Sequence, residues 1–179
     1  MTGVQTCALP IFYKHGSFID DPWRSIRDGE APSAAGHVIF PLEWWHAEKQ
    51  AYAGSNVALG LRLEPGERLS EVAADIPRFQ LIALAFPKFG DGRAFSTAVL
   101  LRERFGFKGE LRAVGEVLLD QIQPMLRSGF DAFEISDPVT EKHLREGRVP
   151  GVAHFYQPGL GAEAKVGPRP WTRRLNSGG

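Results

Sequence analysis

Cysteine is almost absent from this chain of 179 residues: Cys7 is the only one. A disulfide, a cysteine-based zinc site or a cysteine-ligated iron–sulfur cluster needs partners that the chain does not hold. Charge of one sign is also lacking, because 21 Lys and Arg balance 21 Asp and Glu. That balance excludes a general nucleic-acid binder, which needs net positive charge to displace counterions from phosphate. No apolar run approaches the ~20 residues that span a bilayer, and the expectation is a cytoplasmic protein that binds neither nucleic acid nor membrane. The five histidines, His15, His37, His46, His143 and His154, show no metal-ligand spacing. No Walker-type phosphate loop occurs. Gly159-Leu-Gly161 echoes a dinucleotide fingerprint, but Pro168 and Pro170 follow where a helix is needed. No cofactor motif is therefore visible, and no metal or cofactor is expected.

What is present is an ordinary globular composition, 43% hydrophobic and 23% charged, of a length for one domain. Residues 1–11, Met-Thr-Gly-Val-Gln-Thr-Cys-Ala-Leu-Pro-Ile, look like the translation of a sequencing adapter, and are set aside from fold reasoning. Residues 12–27 read as a β-hairpin, with His15-Gly16 as its turn. Residues 28–36 are a linker rich in Gly, Pro and Ser. Residues 37–157 read as an α/β domain, and residues 158–179 as a loosely ordered tail.

Within 37–157 strands alternate with helices. Strands are expected at 37–40, 57–63, 80–86, 110–114 and 131–135, with His154-Phe-Tyr156 as a possible sixth. Helices are expected at 42–53, 67–76, 93–105, 116–128 and from Pro138 to near Gly147. Ala94, Ala98, Leu101 and Phe105 line one helical face. Pro124 predicts a kink, or a break near 121–123. Asp137-Pro138 is an N-cap followed by proline at the first helical position. Repeated βα units imply a mainly parallel sheet of five or six strands, either an open three-layer sheet or a partial βα barrel.

Ligands of parallel sheets bind beyond the carboxyl ends of the strands. The most apolar strand runs into Pro87-Lys-Phe-Gly-Asp-Gly-Arg93. Gly90 and Gly92 permit tight turns, the helix start favours an anion, and Lys88 and Arg93 add charge-assisted hydrogen bonds; the alternative is a plain βα loop with Asp91 as N-cap and surface charges. Charges also interrupt predicted strands at Arg62, Arg112 and Glu134. Either all three lie at strand ends and point to solvent or, because buried charge is costly unless paired, Glu134 neutralises Arg112 from the neighbouring strand in a polar cluster at the sheet's carboxyl edge, beside Lys88 and Asp91. The candidate anion binders are thus Lys88, Gly90, Gly92, Arg93 and Arg112. The candidate acid–base residues are Lys88, Asp91 and Glu134. Trp44-Trp45 reads as core plus surface, and Arg102-Glu-Arg104 as a solvated helix face.

Three strings carry a resemblance: Ala85-Phe-Pro-Lys-Phe-Gly-Asp-Gly-Arg-Ala-Phe95, Leu101-Arg-Glu-Arg-Phe-Gly-Phe-Lys-Gly-Glu-Leu-Arg-Ala-Val-Gly115, and Ser128-Gly-Phe-Asp-Ala-Phe-Glu134. With Asp120-Gln121 and the Asp-Pro-Trp at 21–23, the stretch 12–157 resembles the bacterial domain of unknown function 934. The resemblance implies an association with assimilatory sulfite reduction, since members are commonly encoded beside sulfite reductase and are often labelled oxidoreductases. Three functions compete on this basis. One is an accessory protein that binds a small anion such as sulfite, with sulfite reductase or another sulfur-assimilation enzyme as partner. The others are a cofactor-free enzyme with a carboxylate beside a Lys/Arg clamp, and an oxidoreductase in the literal sense.

Overall fold

The run Leu81–Phe86, buried at all six positions, is a strand near the middle of an eight-stranded sheet. A computed structural model describes residues 11–26, 35–88 and 90–150. The strands are β1 (Ile11–Lys14), β2 (Ser17–Ile19), β3 (Trp23–Ser25), β4 (His37–Pro41), β5 (Ala58–Leu63), β6 (Leu81–Phe86), β7 (Glu110–Gly115) and β8 (Ala132–Ile135). Their spatial order is β2-β1-β8-β7-β6-β5-β4-β3. β3 to β8 are parallel, and from β4 on each lies beside the strand before it in the chain. β1 pairs antiparallel with β8 and with β2.

This order decides between the two expected architectures. Crossovers between parallel strands are right-handed. When each new strand is laid on the same side of the last, every crossover falls on one face of the sheet. A three-layer sheet needs a reversal of direction, and none occurs from β3 to β8. The result is a curled half-barrel, the partial-barrel alternative, with helices α1 (Leu42–Glu48), α2 (Arg93–Glu103), α3 (Ile122–Arg127) and α4 (Pro138–Arg145). The count of five or six strands is corrected to eight among the described residues, because residues 11–25 supply three.

The apolar packing is correspondingly unequal. Phe40, Leu61, Ile82, Leu84, Phe86, Leu111 and Phe133 point to one face, where they join Trp45, Leu101 and Met125 from the helices in the main core. Side chains alternate along a strand, so the intervening residues form the opposite, concave face. Its apolar cluster is small: Ile39, Leu81, Ala83, Ala85 and Val114, with Trp23 packed against it. A Cβ added to Gly60 would lie 3.0 Å from both Ile39 and Trp23, so the indole sits directly over that glycine.

A three-residue link, Asp20–Pro22, joins β2 at one edge of the sheet to β3 at the other. Laid flat, eight strands put those edges about 33 Å apart, whereas the chain from Ile19 to Trp23 reaches at most about 14 Å. The sheet is curled, and this link crosses its open side. The β1–β2 turn has His15 at φ 49° and Gly16 at φ 83°, the paired positive φ values of a two-residue hairpin loop. Ile11, assigned to the leader by sequence, begins β1 opposite Ile135.

Local expectations fared unevenly. Asp137 caps α4, its Oδ2 accepting from the Thr140 amide at 2.7 Å. The segment 116–128 changes from a 3₁₀ turn (Leu119–Gln121) to α3 at Ile122, leaving Pro124 in the first α-helical turn, where it costs little. The helix expected at 67–76 is absent: Leu69–Glu71 and Ile76–Arg78 are 3₁₀ turns. So short a helix is marginal alone, and tertiary contacts override it. Leu69, Val72 and Ile76 are buried, and Asp75 accepts from Trp45 Nε1 and Lys49 Nζ, both at 3.0 Å. Trp45 is core and Trp44 stacks on Phe40. Arg102 is not solvated: it donates to the carbonyls of Gly129 (2.9 Å), Phe107 (2.7 Å) and Gly109 (2.9 Å), and to the Asp131 carboxylate. His154–Tyr156 and the tail lie outside the described residues.

Candidate functional site

The residues singled out by sequence fall into two groups. Lys88, Gly90, Asp91, Gly92 and Arg93 share the loop from β6 to α2. Arg112 and Glu134 stand on neighbouring strands of the concave face. Register sets Glu134 level with Val114 and Ala85, two strands across from β6 and three residues before Lys88. The groups do not converge on one point.

The β6–α2 loop is largely closed on itself. Arg93 donates from Nε to Asp91 Oδ1 (2.9 Å), from Nη2 to Oδ2 (2.6 Å), and from its amide to Oδ1 (3.2 Å). The Arg93 hydrogen bonds hold the Asp91 carboxyl below the usual carboxylate range. The helix start that sequence assigned to an external anion already faces Asp91. Lys88 is exposed and makes no ion pair among the described residues. A tight turn is present here, the Asp91 amide donating to the Lys88 carbonyl at 3.0 Å, and it does not use the left-handed backbone open to glycine. Gly92 has φ −84°, neither glycine has a positive φ, and a Cβ on either meets nothing within 4 Å.

The concave face is where charge is buried. Arg112 is 2% exposed. Its Nη1 donates to Asp21 Oδ2 at 2.6 Å and its Nη2 to Asp21 Oδ1 at 3.0 Å, a bidentate fork. Its Nε donates to Glu110 Oε1 at 3.0 Å. The guanidinium carbon lies 3.9 Å from the Phe12 ring centre. Lys14 Nζ donates to the other Glu110 oxygen at 2.6 Å. The order of placement is simple. Alternation along β7 puts Glu110 and Arg112 on one face, and alternation along β1 puts Phe12 and Lys14 on the same one. The Asp20–Pro22 link then brings Asp21 over them. Arg112 is thus not neutralised by a direct bond to Glu134, as sequence proposed; Asp21 and Glu110 do that. Glu134 stands opposite Phe12 in the β1–β8 ladder. Burial pushes its carboxyl above the usual range, Arg112 and Arg62 pull it back, and Asp21 adds to the rise.

A third feature was missed. A cleft of about 510 Å³ opens beyond the carboxyl ends of β3, β4 and β5, lined by Ile26, Pro41, Leu42, Glu43, Arg62, Glu64 and Glu67. Arg62 Nε donates to Glu64 Oε1 at 2.8 Å. Glu67 Oε2 accepts from the Glu64 amide at 2.6 Å. Burial raises the Glu67 carboxyl, the bond from the Glu64 amide opposes it, and the charges of Glu64, Glu43 and Glu71 add to the rise.

Sequence reasoning therefore found Arg112 and Glu134 but not Asp21, Lys14, Glu110 or Glu67. The signal for Asp21 was available in the Asp-Pro-Trp string; what it faces depends on sheet curl. Among the described residues no three His, Cys, Asp or Glu side chains gather to hold a metal ion. No helix among them is long and apolar enough to cross a membrane. A family model described as "Bacterial protein of unknown function (DUF934)" matches residues 60–166. It starts at β5, later than the resemblance read from sequence, and runs past Pro158. No curated protein matches the chain.

Proposed function

The chain belongs to the DUF934 family of bacterial proteins of unknown function, and from that premise we propose that it is an accessory protein of sulfite reduction that binds a small oxyanion. The observation that carries this reading is Arg112. A guanidinium fixed in a sheet, 2% exposed and holding two carboxylate oxygens at 2.6 and 3.0 Å, is a receptor with the spacing of a small oxyanion. Lys14 balances Glu110 beside it, so the second carboxylate does not cancel the fork. At the mouth of the half-barrel, Lys88 is an exposed cation that guides an anion inward, and Arg93 is held by Asp91. In this reading the partner is sulfite reductase or another sulfur-assimilation enzyme, and the compartment is the cytoplasm.

The experiment is thermal denaturation of the full chain with sulfite at millimolar concentration and chloride as the ionic-strength control. A ligand that binds the folded chain stabilises it by about 2.7 kcal/mol at one hundred times its Kd. Sulfite is expected to raise Tm where chloride does not, and Arg112→Lys, which keeps the charge and loses the fork, to weaken that effect. The absence of any sulfite-specific rise in the parent chain removes the reading.

A second reading, a cofactor-free enzyme, is favoured by one observation: the Glu134 carboxyl is raised by burial while facing Arg112 and Arg62. A carboxyl tuned upward beside cations is suited to general acid–base work. Lys88 and Asp91 then serve at the rim.

A further inference from the structure

Arg112 is held by two carboxylates of very different kinds. Glu110 is on the same strand and cannot leave without unzipping the sheet. Asp21 belongs to no strand or helix, lies in the three-residue link across the open side of the half-barrel, and keeps 30% of its side chain exposed against 2% for Arg112. Apart from Arg112, its side chain accepts one bond among the described residues, from the Trp23 amide at 3.1 Å. A carboxylate delivered from a loop onto a guanidinium fixed in a sheet has the geometry of a bound ligand. We propose that Asp21 is an internal stand-in for the ligand: a small anion with two coplanar oxygens displaces it from Arg112, and the Asp20–Pro22 link lifts as the anion enters.

The charges agree with this assignment. With Asp21 withdrawn, Glu110 is the one carboxylate among the described residues still bonded to Lys14 and Arg112, which leaves those three one net positive charge beside the buried guanidinium, with Glu134 on the neighbouring strand. Such a charge demands a counter-ion. Phe12 covers the face of the guanidinium, so the open approach is edge-on, toward the two Nη atoms that Asp21 now holds. Glu134 is the other carboxyl near the fork; burial raises it, and Arg112 and Arg62 pull it back. Trp23, two residues beyond Asp21 and packed on Gly60 and Ile39, reports movement of the link.

The inference rests on the oxyanion reading above, and the test separates the two. Acetate, which reproduces the Asp21 carboxylate, and sulfite are titrated into the parent, Asp21→Asn and Asp21→Ala, followed by calorimetry and tryptophan fluorescence. Removing the competitor is expected to tighten both probes at least tenfold over the parent. Acetate is also expected to restore the Tm that Asp21→Ala loses, with no matching rise in the parent. Equal affinity of the parent and both variants for sulfite overturns the stand-in and leaves the oxyanion reading standing. Failure of all three to bind either probe overturns both. Should the alanine variant not fold, Asp21→Asn carries the comparison, since it keeps the shape and loses the charge; no gain in affinity there overturns the proposal.

Discussion

The two faces of one sheet are built by different chemistry. On the helix side the strands present Phe40, Leu61, Leu84, Phe86 and Phe133 to a continuous apolar core. On the concave side the same strands present Ile39, Leu81, Val114, alanines, a glycine, Arg112 and Glu134, and among the described residues the cover includes the Trp23 indole and the three-residue link. A helix brings many apolar atoms to a sheet; a short link brings few. Among the described residues the concave face combines a small buried apolar cluster with a fork of charge-assisted hydrogen bonds at Arg112. The lesson is that the side with the smaller apolar cluster is the side where charge is buried.

The sharpest way to break this comparison is Arg112→Ala. Removing one partner of a buried ion pair typically costs about 3–5 kcal/mol, and Asp21 and Glu110 are both left without their fork. The loss is read from urea denaturation, beside Leu84→Ala on the helix side, where about 2–5 kcal/mol is expected. The arginine variant is further expected to alter Trp23 fluorescence, and the leucine variant not to. A stability loss from Arg112→Ala below 1 kcal/mol, judged against that range, shows that the fork does not hold the concave side.

A smaller effect comes from Glu134→Gln, and it depends on pH. The folded-state carboxyl is raised by burial, so folding favours the protonated form. Below the unfolded pKa of about 4.3 both states are protonated and no penalty exists. Between the unfolded and folded values the unfolded chain loses its proton first, and stability falls as pH rises. The glutamine variant is expected to match the parent at low pH and exceed it near neutrality in chemical denaturation. The reverse slope shows that Arg112 and Arg62 outweigh burial.

The least change is expected for Arg93→Ala. Its side chain is 63% exposed and its bond to Asp91 is local, and exposed pairs contribute little. A denaturation midpoint that does not move is consistent with this. A large fall shows that the β6–α2 loop supports the core.

Strand and helix alternation, the apolar run of β6, the hairpin turn at His15-Gly16 and the cap at Asp137 were all legible, because each is local: propensity and period act over a few residues. The 67–76 segment was misread because helix pattern lost to the pull of Trp45 and Lys49 on Asp75. Arg102 was misread as solvated because its partners, Gly129 and Asp131, are far along the chain. The candidate site was half legible. A charge inside an apolar strand marks itself, as Arg112 and Glu134 did. The loop at Lys88 drew notice by its position, and the structure shows its Asp91 and Arg93 bound to each other.

The sequence by itself determined the repeating βα pattern and which strand residues alternate, since both follow from side-chain period and turn chemistry. Only the tertiary structure decided that the strands lie in chain order, that the sheet curls, and that β2 and β3 sit at opposite edges joined by Asp20–Pro22. That closure brings Asp21 to Arg112 across 91 positions of chain. No local pattern encodes such a contact, because it is fixed by the geometry of the whole sheet and not by the residues beside it.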